Sequence, residues 1–274
     1  MSEWAGKKEQ QIVFDGTVTR PSKKKISQGL AWHKDDGHIF LRKVGHYSKK
    51  IRRGGVIIDV GCGTGSLLKA ISQTAPNLHS LIGIDISSKS VKIAKQKNKI
   101  ADFIVCDIDN LPLRDNVSSM VIIWNVLHHL STLKSLNKLI RILDSKGYLI
   151  TDDKINGNPI QEILTTLYPL CPNSFKMVLR EKGNHIDPDG SLPPIKRYSP
   201  KKYLETIQQT SNEMRIVEIR YHGFFFILGV LGIVSYFFPN ISNLQIPIEK
   251  LRLIEKHKML RWSAISMTIV AEKV

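Results

Sequence analysis

Cysteine is scarce: Cys62, Cys106 and Cys171 are the only three in a chain of 274 residues. The count is odd and no two are spaced as CxxC. That argues against a disulfide scaffold and a structural zinc site, and fits a reducing, cytoplasmic compartment. Acidic residues are also few, 24 against 40 Lys+Arg, leaving a formal net charge of +16. The opening stretch, MSEWAGKKEQQ, has no apolar h-region, so no signal peptide is expected. Collagen, heptad and solenoid repeats are not seen. At 42% hydrophobic the chain can bury a substantial core, which excludes disorder as its main state.

The charge is unevenly placed. Residues 1–55 carry a net +8, residues 56–153 only +2, and residues 154–274 a net +6. Basic flanks around a near-neutral middle attract anionic partners, either nucleic acid or a membrane surface. A solvated lysine-rich face is the plainer reading.

Four regions follow from the pattern along the chain. Residues 1–37 are polar, broken by Gly16 and Pro21, and read as a flexible basic arm. Residues 38–53 space Ile39, Phe40, Val44, Tyr47 and Ile51 as an amphipathic helix ended by Gly54-Gly55. Strands then alternate with helices: strands at 56–60, 81–86, 102–106, 119–124 and 147–151, and helices at 66–74, 91–99 and from the fourth strand to about 143. Such alternation implies parallel pairing with right-handed crossovers, so the fold class is α/β with a doubly wound, mostly parallel sheet. Residues 38–153 form the alternating core and residues 154–213 a second stretch with helices at 158–181 and 199–209 and a loop at 183–198. Residues 214–274 hold two β-rich segments, 214–221 and 265–270, expected to close the sheet as an antiparallel pair around an apolar insertion at 223–248.

The sharpest local feature is the run VIIDVGCGTGS from Val56 to Ser66. A buried strand enters a turn with Gly61, Gly63 and Gly65 at alternate positions, and a helix follows. Glycines permit the tight turn and close approach of a ligand, and the helix start offers free N–H groups. In a doubly wound sheet this is the crevice that binds nucleotides. The spacing is GxGxG, not the dinucleotide fingerprint GxGxxG. Asp85 ends the second strand, where a carboxylate can accept both ribose hydroxyls. Asp107 ends the third and can accept from an adenine amino group.

The ordered set DVGCGTG (59–65), GIDIS (83–87), CDIDNLPL (106–113) and IIWNVLHHL (122–130) resembles the class I S-adenosylmethionine-dependent methyltransferases. Within them it is most similar to the ubiquinone/menaquinone-biosynthesis and sterol-type subgroup. The resemblance covers about residues 50–153. It implies a Rossmann-like, seven-stranded sheet, with the residues at 38–53 as an N-terminal helical cap and the apolar insertion before the last strand. It also implies S-adenosyl-L-methionine as cofactor, with no metal. Gly61, Cys62, Gly63 and Gly65 would form the turn against the amino-acid end of the cofactor, with Asp59 orienting it. Asp85 would hold the ribose, Ile86 would pack on adenine, Asp107 and Ile108 would frame the adenine edge, and Asn125 would lie under the sulfonium.

Methyl transfer is an in-line displacement, so the protein's part is orientation and exclusion of water; orientation alone is worth roughly 7–11 kcal/mol. A base is needed only where the nucleophile carries a proton. His128 and His129 are the catalytic candidates, with a packing or capping role as the plainer reading. His33, His46, Tyr47, His185 and Tyr198 lie in segments able to cover the pocket. Cys62 fits the turn as a small side chain rather than as a reactive thiol.

Residues 221–248 contain no Asp, Glu, Lys or Arg. Their centre, GFFFILGVLGIVSYFF, would span about 24 Å as a helix, short of the roughly 30 Å hydrocarbon core. A buried helix, a dimer contact and an interfacial hairpin all fit it. The following segment interleaves Lys250, Arg252, Lys256, Lys258 and Arg261 with apolar residues and precedes Trp262, as an interfacial helix does. The expected acceptor is therefore small or hydrophobic, lipid-, quinone- or isoprenoid-like, taken at an anionic membrane surface by a cytoplasmic, peripheral enzyme. Nucleic acid is disfavoured as acceptor, because base-amino methylation uses (Asn/Asp)-Pro-Pro-aromatic where this chain reads Trp124-Asn125-Val126-Leu127. A non-catalytic cofactor-binding protein is the remaining alternative, and the oligomeric state is left open.

Overall fold

A computed structural model of the chain describes residues 32–74, 80–130, 133–155, 198–210, 212–224 and 264–274. Seven strands form one sheet in the order β3-β2-β1-β4-β5-β7-β6. β1 (Val56–Val60), β2 (Ser80–Asp85), β3 (Asp102–Val105), β4 (Ser118–Trp124) and β5 (Leu143–Lys154) are parallel neighbours. β7 (Ala264–Lys273) runs antiparallel to β5, and β6 (Met214–Phe224) antiparallel to β7. The expected seven-stranded, doubly wound sheet with a closing antiparallel pair is the one observed.

Helices cover both faces. α1 (Trp32–Ser48), α2 (Ser66–Thr74) and α3 (Ser88–Lys97) supply one side; α4 (Leu133–Arg141) and α5 (Pro200–Thr210) supply the other. Because successive strand residues point to opposite faces, Ile57, Ile122 and Ile150 pack with Phe40, Val44 and Leu68, while Ile58, Val121, Ile123 and Leu149 pack with Leu136, Leu139 and Ile207. β4 is buried through its first six residues, as a strand covered on both faces must be.

On the second face the wholly buried Tyr203 donates from its hydroxyl to Thr151 Oγ1 at 2.8 Å. Burial, with the charge of Asp153 adding to it, holds this phenol well above its ordinary range, so it serves as a neutral donor. Tyr203→Phe is expected to cost about 1 kcal/mol in urea unfolding, the value of one buried hydrogen bond that leaves a hydroxyl acceptor behind.

Several boundaries differ from expectation, most of all those of α1, of the β4–α4 connection and of β5. α1 begins at Trp32, so the helix runs through Gly37 into the region read as a flexible arm, and it stops at Ser48 instead of 53. Its end is a turn in which Lys50 N–H donates to Tyr47 O and Ser48 Oγ to Gly45 O. After β4 the chain forms a single 3-10 turn, Leu127–His129, before α4, not one continuous helix. β5 starts at Leu143 rather than 147, carrying a register shift opposite Ser118/Met120.

Since β7 opposes both β5 and β6, the carboxyl end of β6 lies at the same rim as the carboxyl ends of β1, β4 and β5. Phe224 and Ala264, which bracket 225–263, are paired there. Ile155 and Tyr198, which bracket 156–197, form a bridge at that rim too. α1 runs down from it: Phe40 stacks on Trp124, the last residue of β4, and Tyr47 meets Tyr148 near the base of β5. The three longest segments outside the described residues therefore all join the fold at one rim. The expected helix at 158–181 and the apolar insertion at 223–248 lie wholly or mostly outside the described residues. Among the described residues no helix is long and apolar enough to cross a membrane.

Candidate active site

The glycine turn is built on β2. Gly61 N–H and Cys62 N–H both donate to Ile84 O, at 2.7 and 3.0 Å, and Gly65 N–H closes the turn on Cys62 O. Gly61 has φ +71, and a Cβ there would overlap the Val126 side chain, which caps the turn from the β4 side. Gly63 has φ +52, and a Cβ there would meet nothing within 4 Å. That open approach to bare main chain is what an occupant of the crevice requires. Gly65 instead sits under Phe103, so its role is packing of the turn on β3.

Asp85, at the end of β2, ties the crevice together. Its Oδ2 accepts from Gly63 N–H at 2.7 Å and its Oδ1 from Ser87 N–H at 2.8 Å. Ser87 in turn caps α3, accepting at Oγ from Ser90 N–H. Ile86 is half-buried beside them. Asp107, after β3, accepts at Oδ1 from Asp109 N–H and so caps the 3-10 turn that carries Ile108. Asn125 is exposed at the tip of β4 with φ +55, and its N–H donates to Asp152 O at 2.8 Å. The structure thus brings Gly61, Gly63, Asp85, Ile86, Asp107, Ile108 and Asn125 to one rim.

Two residues of the expected set lie behind that rim. Cys62 turns its thiol inward against Gly83, where burial pushes its pKa up; it is a packing side chain. Asp59 is 2% exposed. Burial first, and the Asp85 charge second, push its carboxyl well above the usual range. Folding therefore takes up a proton here between the ordinary and the raised value, so this group's contribution to stability falls as pH rises through that window. In urea unfolding, Asp59→Asn is expected to gain on the parent protein as pH rises above the ordinary carboxylate range. A difference that does not vary with pH would contradict this.

The other titratable candidates separate clearly. Tyr47 and His46 lie at the base of α1, away from the rim. Tyr47 donates to Glu218 Oε2 at 3.1 Å, and burial, then Glu218, raise its pKa to about 12. Burial alone would raise Glu218, but its bonds to Lys43 and Tyr47 outweigh that and hold it low. His33 lies in the first turn of α1, with its side chain outside the described residues, as is all of His185. Tyr198 stands at the bridge to Ile155. His128 and His129 lie on the turn beyond Asn125, with ring centroids 4.0 Å apart.

Two neighbouring carboxylates at the end of β5 were not marked by the sequence. Asp153 faces the turn and binds His128. Asp152 faces the other way, accepting at Oδ2 from the Thr268 hydroxyl, with His222 Nε2 at 2.7 Å. The run Asp152-Asp153 at a strand end was the available signal, but its partners come from 25, 70 and 116 residues away.

With this geometry in view, residues 58–151 match the family model described as "Methyltransferase domain". A probable tRNA methyltransferase 9B from Bos taurus is 34% identical over 112 residues, covering 39% of this chain and 23% of that protein. A tRNA (carboxymethyluridine(34)-5-O)-methyltransferase from Arabidopsis thaliana is 34% identical over 173 residues, covering 61% and 39%. A demethylmenaquinone methyltransferase from Thermotoga maritima is 30% identical over 95 residues, covering 34% and 41%. The chain thus spans well under half the length of these relatives. Among solved structures, a SAM-dependent methyltransferase from Aquifex aeolicus aligns with TM-score 0.51 and 17% identity over 85% of this chain and 89% of that one. A putative methyltransferase in complex with the Trm112 methyltransferase activator of Haloferax volcanii aligns with TM-score 0.56 and 17% identity over 95% and 97%.

Residues 58–151 thus carry a methyltransferase domain, and the sheet has the fold of solved S-adenosylmethionine-dependent methyltransferases, with S-adenosylmethionine the cofactor that domain implies. The narrower quinone and sterol subgroup is not singled out, since relatives named for tRNA and for demethylmenaquinone both align.

Proposed function

We propose that this chain methylates RNA, with tRNA the first substrate class to test. The observation that carries the reading is the 173-residue alignment with the Arabidopsis tRNA methyltransferase, which reaches beyond the cofactor-binding segment. Charge supports it. The segments 1–31, 156–197 and 225–263, which join the fold at the rim, carry net charges of +3, +1 and +3. Cations tethered there suit a polyanion, whose binding would weaken steeply with salt through counterion release.

In this reading the main chain of Gly61–Gly63 holds the amino-acid end of the cofactor. Asp85 takes the ribose hydroxyls with the lone pairs its two amide bonds leave, Asp107 and Ile108 frame the adenine edge, and Ile86 covers its face. Asn125 lies beneath the sulfonium. The cofactor, when bound, supplies a methyl group already activated for displacement.

A second reading keeps the hydrophobic acceptor and a peripheral place at a cytoplasmic membrane face. The demethylmenaquinone relative and the uncharged run 221–248 favour it. Incubation with methyl-labelled cofactor and separate bulk tRNA, lipid and protein fractions distinguishes the two. Label in tRNA, falling as salt rises, is expected; label confined to lipid would establish the second reading instead.

A further inference from the structure

Asp153 is a buried carboxylate that holds both the amide and the ring of His128. It is 4% exposed on its side chain, and His128 is 10% exposed. Oδ2 accepts from the His128 amide at 3.0 Å, and Oδ1 lies 2.6 Å from His128 Nδ1. Oδ1 also accepts from the Lys154 amide at 2.7 Å. A carboxylate that already accepts from two amides is an acceptor toward the ring as well. The ring proton must then sit on Nδ1, which leaves the lone pair on Nε2.

We propose that His128 is the general base of methyl transfer and that Asp153 is its positioning residue, so that the acceptor is a protic group, an amine, hydroxyl or ring N–H, and not a preformed carboxylate. This rests on the methyl-transfer reading and not on the acceptor being RNA. The turn that carries His128 follows Asn125 directly, and β5 fixes it from beside β4, on the far side of the crevice from Asp85 and Asp107. As the acceptor atom bonds to the methyl carbon, the carbon–sulfur bond breaks and its electron pair stays on sulfur. The acceptor's proton passes to Nε2, and the resulting imidazolium is held through Nδ1–H by Asp153. Charge balances: the positive sulfonium is consumed and a positive imidazolium is formed. The His129 ring lies 4.0 Å from that of His128 and is a neighbour of the base.

The test uses the full chain with S-adenosylhomocysteine bound. In the parent protein, 15N-histidine NMR should show His128 as the Nδ1–H tautomer. D153N offers an amide N–H to Nδ1 and should turn the ring to the Nε2–H tautomer. Its kcat on whichever fraction accepts label should fall about a hundred-fold, with KM and homocysteine-product affinity within two-fold. H128A should fall as far and recover in part with added imidazole, which a purely structural histidine would not allow. An Nε2–H tautomer in the parent protein, an unmoved D153N rate, or no imidazole recovery in an H128A protein that still binds S-adenosylhomocysteine would each overturn the assignment. Absence of label from every fraction would count against methyl transfer itself; label together with an unmoved D153N rate would count against the pair alone.

Discussion

Asp85→Ala is expected to weaken S-adenosylhomocysteine binding by about a thousand-fold, the largest loss for any single truncation at the rim. The reason lies in the carboxylate's double employment. It holds Gly63 N–H on one wall of the crevice and Ser87 N–H on the other. Truncation leaves both amides without that acceptor and removes the acceptor proposed for the ribose. Two charge-assisted bonds at about 1.5–3 kcal/mol each account for the size of the effect. Equilibrium dialysis measures the affinity. Thermal unfolding offers a second view, because the upward shift in Tm that the ligand gives the parent protein should vanish in the variant. The fold itself should survive, since Asp85 is half-buried at a strand end.

Gly61→Ala is expected to destabilise the protein by about 3 kcal/mol. Part is backbone: an alanine at φ +71 occupies a region that costs roughly 1–2 kcal/mol for an L-residue. The remainder is overlap of the new methyl with the Val126 side chain, and overpacking of this kind costs about 1–3 kcal/mol. Urea unfolding measures the sum. The two parts separate in a double-mutant cycle, because Val126→Ala relieves the overlap and leaves the backbone cost. Recovery of about half the loss in the double variant is expected. No recovery would place the whole effect in the main chain. The same contact bears on function, since Val126 follows Asn125 and any shift of the turn moves the two halves of the crevice apart.

These expectations rest on features that differ in how openly the sequence displays them. Val56–Val60 is a short apolar run ending in a glycine turn, so strand, turn and helix are all local. Ser87 after Asp85 marks a helix start within three residues, and the cap is observed there. The parallel order follows from strand–helix alternation, and the closing pair from two β-rich segments. What stays hidden depends on backbone or distance. The positive φ of Asn125, which cuts the chain into a turn instead of a helix, is marked only by the tolerance of Asn for that conformation. The apolar spacing starts α1 six residues late, and the helix runs through Gly37 although a helical glycine costs about 1 kcal/mol. Tyr47 reads as a residue that covers the pocket, yet its partner Glu218 lies 171 residues away, midway along the edge strand β6. Asp152 and Asp153 are adjacent in sequence, but strand alternation sends them to opposite faces and different partners.

All of this depends on the crevice at the ends of β1 and β2 holding the sulfonium cofactor. Calorimetric titration of the full chain with S-adenosylhomocysteine tests that most directly. The account predicts saturable heat with one ligand per chain, lost in Asp85→Ala and retained in D153N. A folded parent protein that gives no heat across a wide range of ligand concentrations would contradict it.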